Sequence, residues 1–208
     1  LQVRGTGVTL GFLGVGLTGN FSFEQKTSQG GSRRITVTAD SVSFNFGTSL
    51  VSATNGSGFF MISDGGIAGK GSITVSVNAF GGLSHTFNWA FNTTGGAVNE
   101  VFGNPTFLDL PAGPFNKLDS GPTPIAINIP ISSYTQSLTG RFILALVDGS
   151  PSYVTVAASS VSATIGAGAV GLTVSGGSGA MVIYSSGVAG EFKVTSASLS
   201  GAGALAIT

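Results

Sequence analysis

Apolar and polar residues alternate along most of this chain, and a period of two marks strands with one buried face. Ile35, Val37 and Ala39 fall on one side, and Val42, Phe44 and Phe46 continue in the opposite phase. The same inversion recurs between Ala158 and Val161. Phase changes at Asp40-Ser41 and Ser159-Ser160 predict a β-bulge or tight corner at each place. Further strands are predicted over 59–63, 72–79, 84–91 and 106–110, then over 125–131, 142–147, 170–174, 180–184 and 192–196. Residues that tolerate positive φ punctuate them: Gly30-Gly31, Asn55-Gly56, Asp64-Gly65-Gly66, Gly81-Gly82, Gly95-Gly96 and Asp148-Gly149. No period of 3.6 persists for three turns. The chain reads as all-β.

It also repeats itself. Leu17-Thr18-Gly19-Asn20-Phe21 returns as Leu138-Thr139-Gly140-Arg141-Phe142, an offset of 121. Gly56-Ser57-Gly58 returns as Gly177-Ser178-Gly179 and Ile67-Ala68-Gly69 as Val188-Ala189-Gly190, again at 121. Between these anchors the strand from Ile35 to Val42 matches that from Val154 to Val161 at 119. A two-residue deletion in the preceding turn, later restored, accounts for the difference. Two tandem related modules follow: residues 1–121, ending in a Pro/Gly-rich linker from Pro111, and a shorter module over 122–208. Strand lengths and glycine turns suit β-sandwich-like modules, with a β-solenoid as the alternative. The predicted core of the first copy holds Phe21, Phe23, Phe44, Phe46, Phe59, Phe60, Phe87 and Phe91 with Trp89. The second is lighter, with Ala163 where the first has Phe44. Leu1 is preceded by no initiator Met and no apolar leader, and the second copy is cut short at Thr208. Both suggest a slice of a longer tandem array.

Several strings carry a resemblance: Leu17 to Gln25, Val42 to Phe46, Thr54 to Gly58, Gly66 to Gly69, Phe91 to Thr94 and Leu110 to Pro114. They resemble a repeat of giant, adhesin-like bacterial surface and secreted proteins built from tandem β modules. The resemblance implies an extracellular or cell-surface location and a structural or adhesive task. Its motifs are structural punctuation with no catalytic signature. The second copy departs from it at Thr123 to Gln136, where Ile125, Ile127, Ile129 and Ile131 alternate among prolines.

Composition narrows the function classes. Eight basic and eight acidic residues cancel, and only 8% of the chain is charged, so the basic stripe of a nucleic-acid binder is missing. With 42% apolar residues and 15 Phe, the chain has enough apolar bulk to fold. The longest apolar runs are too short to span a membrane as a helix. An outer-membrane barrel would need aromatic girdles, and there are one Trp and three Tyr. There is no cysteine and a single histidine, His85, so a zinc enzyme lacks ligands. The carboxylates Asp40, Asp64, Asp109, Asp119 and Asp148 come singly, in or beside turns. A calcium ion between modules is the one cofactor left open, with no ligands to name. The sequons at Asn20, Asn55 and Asn92 match the number expected by chance at this Ser/Thr frequency. Nothing points to an enzyme.

Long strands without charged gatekeepers suggest faces that neighbouring copies cover. The expected function is a structural module of an extracellular fibre, filament or surface layer, with copies of itself or neighbouring modules as partners. The alternative is an adhesive module that binds a glycan or another cell. The assembly candidates are Ile125, Ile127, Ile129 and Ile131 of the proline-bracketed segment, and Val3, Val8 and Leu10 of the first strand.

Overall fold

The computed structural model describes residues 1–12, 15–27, 33–46, 50–78, 83–101, 107–131, 134–147, 150–167 and 170–201. Nearly all of them are strand: β1 Gln2–Phe12, β2 Val15–Thr27, β3 Arg33–Phe46, β4 Val51–Ser63, β5 Gly66–Val77, β6 Leu83–Asn92, β7 Val98–Val101 and β8 Phe107–Leu110, followed by β9 Phe115–Asp119, β10 Ile125–Ile131, β11 Tyr134–Val147, β12 Tyr153–Ala167, β13 Val170–Tyr184, β14 Gly187–Lys193 and β15 Ser196–Ser200. The protein is all-β. β-branched and aromatic residues fill the buried positions, as a pleated, half-buried surface favours.

Two compact units divide the chain. Unit 1 comprises Leu1–Phe46, Val51–Val75 and Thr86–Leu118, and unit 2 comprises Gly47–Leu50, Ser76–His85 and Asp119–Thr208. In unit 1 the strands lie in the order β1-β2-β3-β4-β5-β6-β9, beside a separate hairpin of β7 and β8. In unit 2 the order is β11-β12-β13-β14, with β10 on β11 and β15 also on β13. The sandwich-like and solenoid arrangements expected from the sequence find no support in these ladders. Alternation tells which face of a strand is buried, and is silent about whether a sheet, a hairpin or a loop buries it.

Glycine accounts for two of the other differences. The segments 170–174 and 180–184 are one strand, β13, because Gly176 takes φ +64 as a bulge inside it. Asn55-Gly56 is likewise within β4, with Asn55 at φ +55. The predicted strand 192–196 is interrupted, ending as β14 at Lys193 and resuming as β15 at Ser196. The stretch read as linker contains β9. Gly30-Gly31, Gly81-Gly82 and Asp148-Gly149 lie outside the described residues.

The repeat is written into the strand register. Val42 pairs Gly56 and Val161 pairs Gly177; Ala39 pairs Gly58 and Ala158 pairs Gly179. On the other side Phe21 pairs Ala39 and Phe142 pairs Ala158. The register shifts after Ala39 and again after Ser159, where the two phase changes stand. At the centre of each shift is a serine in the left-handed region, Ser41 at φ +54 and Ser160 at φ +53. The bulge takes up one residue, so the apolar set stays on one face while its phase in the sequence inverts: Val42 shares the face of Ala39, as Gly56 shares that of Gly58, and Val161 shares that of Ala158. A β-branched side chain does not tolerate that backbone. Ser41→Val or Ser160→Val is therefore expected to cost about 1–2 kcal/mol, whereas Ser→Gly at either site stays within about 1 kcal/mol of the parent. Equal urea midpoints for the Val and Gly variants would refute the assignment.

In unit 1 one face of the sheet buries Val37, Phe60, Phe87 and Phe91. Over the opposite face lies the β7–β8 hairpin: its Val98, Leu108 and Leu110 pack with Met61 and Ala68, flanked by Phe59, Ala90 and Phe115. An ion pair between Arg34 and Glu100 joins β3 to the hairpin. Unit 2 buries Ile127, Phe142, Leu144, Val154, Val156 and Ile183.

Candidate assembly surface

The chemistry to be placed is that of sheet edges and faces. β1 is an edge of unit 1: among the described residues it pairs β2 and no other strand. Its ladder breaks between Gly5 and Val8, with Gly7 at φ +63. Of its eleven residues one, Arg4, is charged. Val3 is 55% exposed, and Val8 and Leu10 are half-buried. In unit 2 the corresponding outer strands are β10, on β11, and β14 with β15, both on β13.

The sequence candidates turn out to share one place in the repeat. Val8 pairs Gly19 and Leu10 pairs Leu17; Ile125 pairs Gly140 and Ile127 pairs Leu138. Since Gly19 and Leu17 correspond to Gly140 and Leu138, β10 occupies the position of the second half of β1. No sequence anchor carries this, because the two segments share only the spacing of their apolar residues. Burial separates them: Ile125 and Ile127 are buried, at 9% and 1% exposure. Ile129 is half-buried, and the Ile131 side chain lies outside the described residues. The apolar face of β10 is thus spent largely on the core of unit 2, and β1 is the more open of the two.

Hydroxyls dress the exposed faces. Thr9 and Thr18 bond across β1–β2 at 2.9 Å, Thr74 and Thr86 across β5–β6 at 3.3 Å, and Thr164 and Thr173 across β12–β13 at 3.3 Å. Paired hydroxyls satisfy one another, so a neighbour can cover them without the desolvation cost of ion pairs.

Trp89 is not the core residue the alternation suggests; it is half-buried, as is Phe44. Its ring stacks on Phe91 at 5.5 Å and 10°. A Cβ on Gly58 or Gly71 would come within 2.3 or 2.6 Å of the indole, so two glycines form its bed. The indole Nε1 donates to the Ser57 carbonyl at 3.2 Å. Such cover of strand glycines by an aromatic ring repairs the packing the glycines forgo.

The sequon at Asn92 is a structural plug. Asn92 is fully buried. Its Nδ2 donates to the carbonyls of Gly96 (2.9 Å) and Pro111 (2.8 Å), and its Oδ1 accepts from Thr94 N (2.8 Å) and Thr94 Oγ1 (2.7 Å). Asn20 donates to Asp40 at 2.8 Å, while Asn55 is exposed.

The remaining polar candidates make local contacts. Asp40 also accepts from Ser41 Oγ at 3.1 Å, and Asp119 from Gly121 N at 2.9 Å. His85 is half-buried on β6. Among the described residues no group of three His, Cys, Asp or Glu converges to hold a metal, so the calcium expectation has no ligand set there. No described helix is long and apolar enough to cross a membrane. Comparison with known proteins adds no relative: no family model, curated protein or solved structure matches the chain.

Proposed function

We propose that the protein is a structural β module that assembles through sheet contacts into an extracellular fibre, filament or surface layer. The observation that carries the reading is β1, an edge of eleven residues with one charge and no second partner strand among the described residues. Soluble β proteins guard such edges with Lys, Glu or Pro. Here the guards are Arg4 and the Gly5–Val8 break in the ladder. The threonine-paired faces support the same reading, as does the extracellular setting implied by the resemblance to giant surface-protein repeats. Negative-stain microscopy of the native material tests it: regular fibres or sheets are expected, and dispersed single particles at every concentration would overturn it.

Contacts of this kind are apolar and hydrogen-bonded, so screening leaves them in place. The assembled fraction measured by sedimentation is expected to be unchanged between about 0.1 and 1 M NaCl. Dissolution at the higher salt without denaturant would refute a sheet-mediated contact. The adhesive alternative has one observation in its favour, the half-buried Trp89. Glycan binding by a monomeric protein, abolished in Trp89→Ala, would favour it.

A further inference from the structure

Two of the three tyrosines of this chain stand side by side. Tyr153 opens β12 and Tyr184 closes β13. Val154 pairs Ile183, so the residues one step further along each strand lie opposite one another. Their rings meet at a centroid distance of 5.4 Å and an angle of 37°, a direct aromatic contact. Both side chains are half-buried, at an end of the ladder where Pro151, Ser185, Ser186 and Gly187 are exposed. On its other side Tyr153 faces Val147 of β11.

The first copy has something else in this place. Val154 corresponds to Ile35 and Ile183 to Ile62, which also pair. One step further, Tyr153 corresponds to Arg34 and Tyr184 to Ser63. Arg34 ties its strand to the β7–β8 hairpin through Glu100. The second copy has two phenols in contact instead. A cross-strand ring pair stabilises a ladder by packing alone, and phenylalanine, present fifteen times, would serve for that. What the hydroxyl adds is one-electron chemistry.

We propose that Tyr153 and Tyr184 form an oxidative cross-linking site, where a dityrosine bond staples β12 to β13. Each phenol loses one electron and its hydroxyl proton, and the two phenoxyl radicals couple in a carbon–carbon bond between the ring positions ortho to oxygen. The hydrogens on those carbons then move to the oxygens, which restores both phenols. The oxidant is hydrogen peroxide acting through a haem peroxidase. One peroxide takes both electrons and both protons and leaves as two waters. The ladder holds both backbones in place, and rotation about the side-chain torsions brings the ortho carbons together. Competing groups are sparse: there is no cysteine, Met61 and Met181 are buried, and the Trp89 indole is stacked on Phe91. In a chain without disulfides, such a bond constrains the unfolded state as a disulfide would. Both rings belong to one chain, so the bond forms whether or not copies assemble, and it goes beyond the assembly reading.

The test treats the dilute full chain with a haem peroxidase and hydrogen peroxide. The product is expected to migrate as a monomer on a denaturing gel and to show dityrosine fluorescence. Its digest should contain a peptide pair joined through Tyr153 and Tyr184, lighter by two hydrogens than the separate peptides. Tyr153→Phe and Tyr184→Phe keep the ring contact without the hydroxyl, and unchanged circular dichroism establishes that each folds. Either is expected to abolish dityrosine in the monomer, while Tyr134→Phe leaves its yield unchanged. The urea midpoint of the linked parent is expected to rise, and that of Tyr153→Phe treated alike to stay where it was. Absence of the bond, a yield that survives Tyr153→Phe, or a bond found only between copies would overturn the site. An unchanged midpoint with the bond in place would overturn its role as a staple.

Discussion

Asn92→Ala is expected to lower folding stability by about 3–5 kcal/mol, the sum of several buried polar groups left without partners. The wild-type amide makes four hydrogen bonds from a site with no solvent exposure. Truncation strips Pro111 of its donor and Thr94 of its acceptor, and takes one of two donors from the Gly96 carbonyl, which keeps Thr94 Oγ1 at 2.9 Å. Gly113 packs against the same turn: a Cβ placed on it would stand 2.3 Å from the Asn92 carbonyl oxygen and 2.6 Å from that of Thr94. Next to the plug, Thr93 N donates to the Ile67 carbonyl at 2.8 Å and Ile67 N donates to Thr93 Oγ1 at 2.8 Å. Loss of Asn92 therefore also loosens the start of β5. Urea titration measures the effect as a shift in midpoint at constant slope. A loss below about 1 kcal/mol would mean that water replaces the amide and that the plug is dispensable.

The contrast between what the sequence discloses and what it conceals has physical causes. Phase changes at Asp40-Ser41 and Ser159-Ser160 were legible because a bulge takes up one residue and inverts the phase of all that follow, which leaves a mark in the pattern. The offset of 121 was legible because strand glycines under neighbouring side chains, such as Gly56, Gly58 and Gly69, admit no other residue cheaply. Asn92 was hidden: an Asn-Thr-Thr string looks the same whether its amide faces solvent or four backbone and side-chain partners. The continuity of β13 through Gly176 and the presence of β9 in the presumed linker were hidden because glycine and proline mark bulges and strand ends as readily as turns. Among the assembly candidates, the apolar spacing in Val8–Leu10 and Ile125–Ile127 was visible. Their equivalence was not, since it resides in their pairing with Gly19 and Gly140.

Equivalent core positions should carry equivalent energies, and Phe21 and Phe142 offer the sharpest comparison. They are 2% and 1% exposed, pair the corresponding alanines Ala39 and Ala158, and lie beside the two serine bulges. Phe21→Ala and Phe142→Ala are each expected to cost about 3–5 kcal/mol, the usual loss for a buried aromatic. Phe44 provides the control. It pairs Ala53 as Ala163 pairs Val174, so the second copy already does with a methyl at this place what the first does with a ring. Being half-buried, Phe44 loses less on truncation, and Phe44→Ala should cost no more than about 2 kcal/mol. Denaturant unfolding of the three variants decides the matter. If the units melt in separate steps, Phe21→Ala moves only the step of unit 1 and Phe142→Ala only that of unit 2. Should either cost less than Phe44→Ala, the two copies share a register without sharing a core, and the repeat would conserve the backbone path alone.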